Sequence, residues 1–133
     1  MELVAYYSTD TVEAANRCLT DVPLAVNCAG VSFSSKKFEM IRKRQDFYLL
    51  YGIGGKMPIV IDEHCQFLEK DTFIIIEPDT YSEYGLEKGF INYYWLHFTG
   101  FYAKELLAKL DISLNTLYSA TFTDEIKKFF ENR

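Results

Sequence analysis

Histidine and cysteine are scarce in this 133-residue chain, and neither is arranged for chemistry. His64 and His97 lie far apart with no second ligand-type residue spaced beside them, so no histidine-based metal centre is expected. The three cysteines, Cys18, Cys28 and Cys65, are odd in number and lack Cys-x-x-Cys spacing, which argues against a disulfide framework or a thiolate zinc site and for a reducing compartment. No window approaches the roughly 18 uninterrupted apolar residues of a membrane span, and Met1 to Asp10 lack the basic start of a secretory leader. A cytoplasmic protein without membrane contact is expected. Positive charge is also in deficit. The formal net charge is -5, and the only basic cluster is Lys36, Lys37, Arg42, Lys43 and Arg44, so nucleic acid is not expected as a direct partner. There is no Gly-x-Ser-x-Gly elbow, and Gly52, Gly54 and Gly55 precede neither a helix nor a Lys-Ser/Thr pair. They read as turn or bulge glycines, and neither catalysis nor a cofactor is expected.

Aromatics, by contrast, are abundant: 17% of residues, with 10 Tyr and 11 Phe. A chain of this length fits one domain burying roughly two-thirds of its unfolded surface, and so many rings favour an interior shaped around something or a sizeable interface. Short apolar runs separated by turn residues predict seven or eight antiparallel strands. They lie at Leu24 to Phe33, Phe38 to Arg42, Phe47 to Ile53, Lys56 to Ile61, Cys65 to Leu68, Thr72 to Ile76, Tyr81 to Leu86 and Phe90 to Phe98. Gly54 and Gly55 read as the end of one strand, and Asp62-Glu63-His64 as a hairpin tip. No helix intervenes, which makes a closed or double-sheet antiparallel barrel.

The most informative stretch is Phe90-Ile-Asn-Tyr-Tyr-Trp-Leu-His-Phe-Thr-Gly100. Alternation along a strand gives Tyr93, Trp95 and His97 one face and Tyr94, Leu96 and Phe98 the other. Three apolar yet hydrogen-bonding groups on one face suit either an aromatic core strand or the wall of a pocket. By the same rule Tyr48 and Tyr51, three apart, cannot both point inward.

The blocks Arg44-Gln-Asp-Phe-Tyr-Leu-Leu-Tyr51, Leu68-Glu-Lys-Asp71, Ile74-Ile-Ile-Glu-Pro-Asp-Thr80 and Tyr93-Tyr-Trp-Leu-His-Phe-Thr-Gly100, with Gly55 and Tyr84, resemble the amino-terminal regulatory domain of AraC-type transcription regulators. The resemblance spans about residues 22 to 110. It implies a cupin-like jelly-roll barrel that binds a small effector, often a sugar, followed by helices that pair two subunits. It also implies a separate carboxy-terminal helix-turn-helix domain that binds DNA. No helix-turn-helix segment lies in these residues, so DNA contact is expected only through a domain outside them. Lys70 stands where the family usually has a glycine, and Ser82 where a histidine often follows the proline turn. The implied organisation is an amino-terminal arm (1–21), an effector-binding barrel (22–98) and a helical dimerisation segment (99–133).

For the effector the candidates are Arg44, Tyr48, Tyr84, Tyr93, Trp95 and His97, because aromatic faces cover the C–H faces of a sugar while hydroxyl and guanidinium groups orient it. Arg44 has a second reading, an ion pair with Asp46 or Glu39, and His97 reads most simply as a strand residue bonded to a backbone carbonyl, with the pocket wall as its second reading. Phe101 to Leu110 places Ala103, Leu106, Leu107 and Leu110 on one helical stripe, and Ile126, Phe129 and Phe130 form another. These stripes either lie against the barrel or make a homodimer contact; the second is expected for residues 101–110. The abrupt end at Phe130-Glu-Asn-Arg133 suggests a piece of something longer. The competing class is a free-standing cupin enzyme, of isomerase or dioxygenase type, with an atypical or lost metal site.

Overall fold

The protein, a computed structural model, is described over residues 2–7 and 17–119. Among the described residues, nine strands and one helix occur in the order β1 (Glu2–Tyr7), β2 (Ala25–Ser34), β3 (Phe38–Lys43), β4 (Phe47–Ile61), β5 (His64–Glu69), β6 (Thr72–Ile76), β7 (Tyr81–Leu86), β8 (Ile91–Thr99), α1 (Ala103–Lys109) and β9 (Tyr118–Ser119). All pairings are antiparallel. One sheet runs β1-β2-β8-β4-β6-β9; the other places β7 between β3 and β4, with β5 on the far side of β4.

The two sheets share β4, which is one strand of fifteen residues where the sequence suggests two. Its first half, Phe47 to Tyr51, lies between β8 and β6, and its second half, Lys56 to Ile61, lies beside β5 and β7. The glycines bend the strand instead of ending it. A register shift falls between Gly52 and Gly54, and Gly55 takes φ +78°. A β-carbon at Gly52 would sit 1.8 Å from the Glu69 carbonyl oxygen, so only glycine lets the two sheets cross this closely.

Between the sheets lies the main core. The first sheet contributes Tyr48, Leu50, Ile74, Ile91, Tyr93 and Trp95, and the second Met57, Ile59, Leu68, Tyr84 and Leu86. Alternation sends Tyr51 and Tyr94 to the opposite face, where they join Ala29. Within the expected amino-terminal arm, Glu2–Tyr7 form β1, paired with β2, so part of the arm is a sheet edge. In the expected helical dimerisation segment, between its two expected helices, Tyr118–Ser119 form β9, paired with β6. The second stripe, Ile126, Phe129 and Phe130, lies outside the described residues.

Helix α1 is shorter than the 101–110 expected, and a seven-residue helix has little stability of its own. Ala103 and Leu107, four apart, bury one side of it against Phe47 and Ile75. Asp111, at φ +57°, takes the left-handed position that closes the helix, and the Ile112 N–H donates to the Leu107 carbonyl at 2.9 Å. The expected single dimerisation stripe is therefore divided. Ala103 and Leu107 face the domain's own core, Leu106 is half-buried, and Leu110 sits beyond the last helical turn at 59% exposure. Leu107→Glu should cost at least about 3 kcal/mol in urea unfolding, because it forces a carboxylate into an apolar site, whereas Leu110→Glu should stay within about 0.5 kcal/mol. Equal effects of the two would contradict this division.

Candidate functional site

The inward faces of β8, β4 and β7 bring five of the six expected ligand residues together. Tyr48, Tyr84, Tyr93, Trp95 and His97 are all buried. The Tyr48 ring stacks on the His97 imidazole with centroids 4.1 Å apart and planes at 6°, and Trp95 meets His97 edge-on at 5.6 Å. Their polar tips bond within the protein. The Trp95 indole N–H donates to Ser32 Oγ at 3.0 Å, and the Tyr84 hydroxyl donates to the Tyr48 hydroxyl at 3.5 Å. Register makes room for the indole, since Trp95 lies opposite Gly30, which has no side chain. Among the described residues no buried side-chain nitrogen or oxygen lacks a hydrogen-bond partner. A ligand in this interior would therefore have to exchange existing hydrogen bonds for its own.

Arg44, the sixth, stands at one end of this face, in the loop before β4, with its side chain 19% exposed. Of the two pairings open to it, the structure has the one with Asp46: Nε donates to Oδ1 at 2.9 Å and Nη2 to Oδ2 at 3.3 Å. Asp46 is the residue that the sequence reading undervalued. It is 1% exposed, and its carboxylate also accepts from Asn27 Nδ2 at 3.1 Å and approaches His97 Nδ1 at 3.3 Å. Asn27 reaches it because a bulge between Val26 and Cys28 turns the strand there. Asn27 in turn accepts from Arg17 Nε at 3.3 Å and donates to the Arg17 carbonyl at 3.1 Å. Nearby, the Leu19 N–H donates to Thr99 Oγ1 at 3.0 Å. An Arg-x-Asp spacing was the available signal for Asp46; nothing local marks Asn27 or Ser32.

The electrostatics follow from this geometry. Burial opposes ionisation of Asp46, but the hydrogen bonds from His97 and Arg44 outweigh it, and the carboxyl titrates below its ordinary range. Burial lowers the pKa of His97 against the pull of Asp46, so the imidazole is neutral near pH 7. A carboxylate can only accept, so the neutral ring carries its proton on Nδ1 and donates it to Asp46. His97 thus bonds a carboxylate and not the backbone carbonyl that a strand histidine commonly finds. Burial raises the hydroxyls of Tyr48 and Tyr93, the latter to about 12, and the Cys28 thiol to about 11 despite Arg44 nearby. None of these is poised as a nucleophile or base near neutrality.

Among the described residues no three His, Cys, Asp or Glu side chains come together as a cation site. Asp46 and His97 meet, but the guanidinium of Arg44 on the same carboxylate opposes a metal ion there. His64, expected at a hairpin tip, is the first residue of β5. It lines an open cleft of about 410 Å³ with Asp62, Cys65 and Asn115. No helix of the described residues is long and apolar enough to cross a membrane.

No protein-family profile matches the chain, and no curated protein matches it in sequence. Similar solved structures exist. The cupin domain of Schizosaccharomyces pombe Cnp3 superposes with a TM-score of 0.54 at 13% identity, over 84% of this chain and 71% of that one. A cupin superfamily protein of Desulfitobacterium hafniense gives 0.53 at 7% identity, over 74% and 78%. Unsaturated fatty acid-bound ToxT of Vibrio cholerae gives 0.50 at 11% identity, over 83% of this chain and 46% of that one. At these identities the shared property is the cupin fold.

The buried pair fixes a pH dependence. Because the folded-state pKa of His97 is depressed, the unfolded chain binds that proton first as pH falls below about 6.5, and stability should decline from there towards the folded pKa, by at most about 1.4 kcal/mol per pH unit. Asp46, also depressed, adds a second loss as pH falls below about 3.9. Urea unfolding from pH 8 to pH 5, compared with His97→Gln, isolates the first contribution. An identical pH profile for the two proteins would contradict the assignment.

Proposed function

We propose that this chain is the effector-sensing domain of an AraC-type transcription regulator, a cupin barrel whose ligand state controls DNA binding by a separate domain outside these residues. The observation that carries the proposal is the buried, hydrogen-bonding aromatic face of Tyr48, Tyr84, Tyr93 and Trp95, closed at one end by Arg44, Asp46 and His97. Hydroxyls and an indole N–H whose bonds, Tyr84 to Tyr48 and Trp95 to Ser32, stay within the protein are groups a polar guest can engage one for one. The rings supply the flat apolar surface that a sugar presses against. The fatty acid held by ToxT, which shares the fold, supports a small-molecule role and adds a second ligand class. The reading favours binding over catalysis because the charged groups of the site, Arg44 and Asp46, neutralise each other. The same reading makes the protein a cytoplasmic homodimer, with Leu106 and Leu110 on the outer side of α1 meeting their copies.

Trp95 is the only tryptophan, so its emission reports on this face alone. A cognate sugar or fatty acid should change that emission and, at about a hundred times its Kd, stabilise the fold by about 2.7 kcal/mol. Trp95→Phe should abolish the emission change while keeping part of the thermal shift. A broad panel of saccharides and fatty acids that moved neither observable would contradict the sensor reading. A ligand that raised the melting temperature without touching Trp95 emission would place the site elsewhere.

A further inference from the structure

The outer face of the sheet formed by β3, β7, β4 and β5 is open, and its side chains follow from the register. Glu39 pairs with Gly85 and Ile41 with Glu83. Val60 stands beside Glu83 on one side and Cys65 on the other, and Pro58 pairs with Phe67. Gly85 contributes no side chain to this face and can contribute none, since a β-carbon there would lie 2.3 Å from the Phe38 carbonyl oxygen. The result is a cleft of about 270 Å³ lined by Pro58 and Val60 beside the Gly85 backbone, with Glu39 and Glu83 at its sides and Lys37 and Glu87 at one end. Phe67 and Ile41 continue the apolar surface and are both exposed.

The charges of this face do not balance locally. Lys37 pairs with Glu87 at 3.3 Å, Lys56 pairs with Glu69 at 3.6 Å, and Lys43 lies 5.1 Å from the Tyr81 ring centroid. Among the described residues the side-chain carboxylates of Glu39 and Glu83 have neither an ion-pair nor a hydrogen-bond partner. They are diagonal neighbours on adjacent strands, where side chains stand roughly 7 Å apart. Two unpaired carboxylates at that separation repel each other and face an apolar floor that neither can use. One cation between them relieves the repulsion, and an aliphatic stem beneath the cation covers Pro58 and Val60. The face already holds one such arrangement: the Lys56 ammonium lies 4.5 Å from the Phe67 ring centroid while bonding Glu69.

We propose that this cleft docks a basic segment of a partner protein, with an arginine or lysine stem over Pro58 and Val60 and its charged head between Glu39 and Glu83. This surface is separate from the inter-sheet face, and the proposal does not rest on the effector reading. A protein segment is the occupant to which the chemistry points because the apolar surface extends past the cleft to Phe67 and Ile41, further than one small cation covers.

The test is amide NMR of the 133-residue chain titrated with a short peptide of alternating valine and arginine, its valine-glutamate counterpart, and free arginine. The valine-arginine peptide should shift Val60, Glu83 and Gly85 saturably, and added salt should weaken it. The double substitution of Glu39→Gln and Glu83→Gln, on the exposed face, removes their mutual repulsion and so should not lower the melting temperature, while weakening binding at least about tenfold. Four results would overturn the proposal: no saturable shift, equal binding of the valine-glutamate peptide, an unaffected double variant, or free arginine binding as tightly as the peptide. The last would make this a small-cation site.

Discussion

One buried carboxylate organises the interior. Asp46 lies between the sheets with its side chain sealed from water, a position that costs several kcal/mol unless its oxygens are fully engaged. They are engaged by groups from three parts of the chain: Arg44 beside it, Asn27 on β2 and His97 on β8. Each of these contacts fixes something else. The Arg44 fork is held in one orientation, His97 is held in one tautomer and stacked flat on Tyr48, and Asn27 anchors the chain at Arg17. Removing the carboxylate would therefore disturb the aromatic face proposed to hold a ligand, although Asp46 need never touch that ligand.

The second constraint is geometric. Because β4 belongs to both sheets, Tyr48 and Ile59 on one continuous strand line the same core from opposite sides. The close approach of Gly52 to Glu69 makes this possible, and the bend sets the separation between the rings of Tyr48 and Tyr84, 6.0 Å apart. The interior is thus defined by how a single strand turns, and side-chain volume fills what that turn leaves.

Several of these features were legible in the sequence. Period-two alternation placed Tyr93, Trp95 and His97 on the buried face and divided Tyr48 from Tyr51, because a strand leaves a side chain only two choices. An antiparallel barrel or double sheet followed from short runs without intervening helices, and its cupin-like form from the AraC-type resemblance. The path of β4 did not, because glycines that end a strand and glycines that bend one look identical until the crossing strand is known. Nor did the weight of Asp46. A carboxylate two residues from an arginine normally reads as a surface pair, and its burial depends on Asn27 and His97, distant in sequence on either side. The extent of the helix was not legible for a related reason: Ala103, Leu106, Leu107 and Leu110 fit one face by spacing, but a helix ending at Lys109 leaves Leu110 past its last turn.

The role of Asp46 is tested most directly by equilibrium unfolding of Asp46→Asn at neutral pH together with native-state amide exchange. An amide of the same shape cannot hold the Arg44 guanidinium as an ion pair or accept every donor that converges there. The expected result is a loss of roughly 3 kcal/mol, with faster exchange at Leu19 and through β8. A loss under about 1 kcal/mol with exchange unchanged at those amides would contradict the claim that this carboxylate organises the interior.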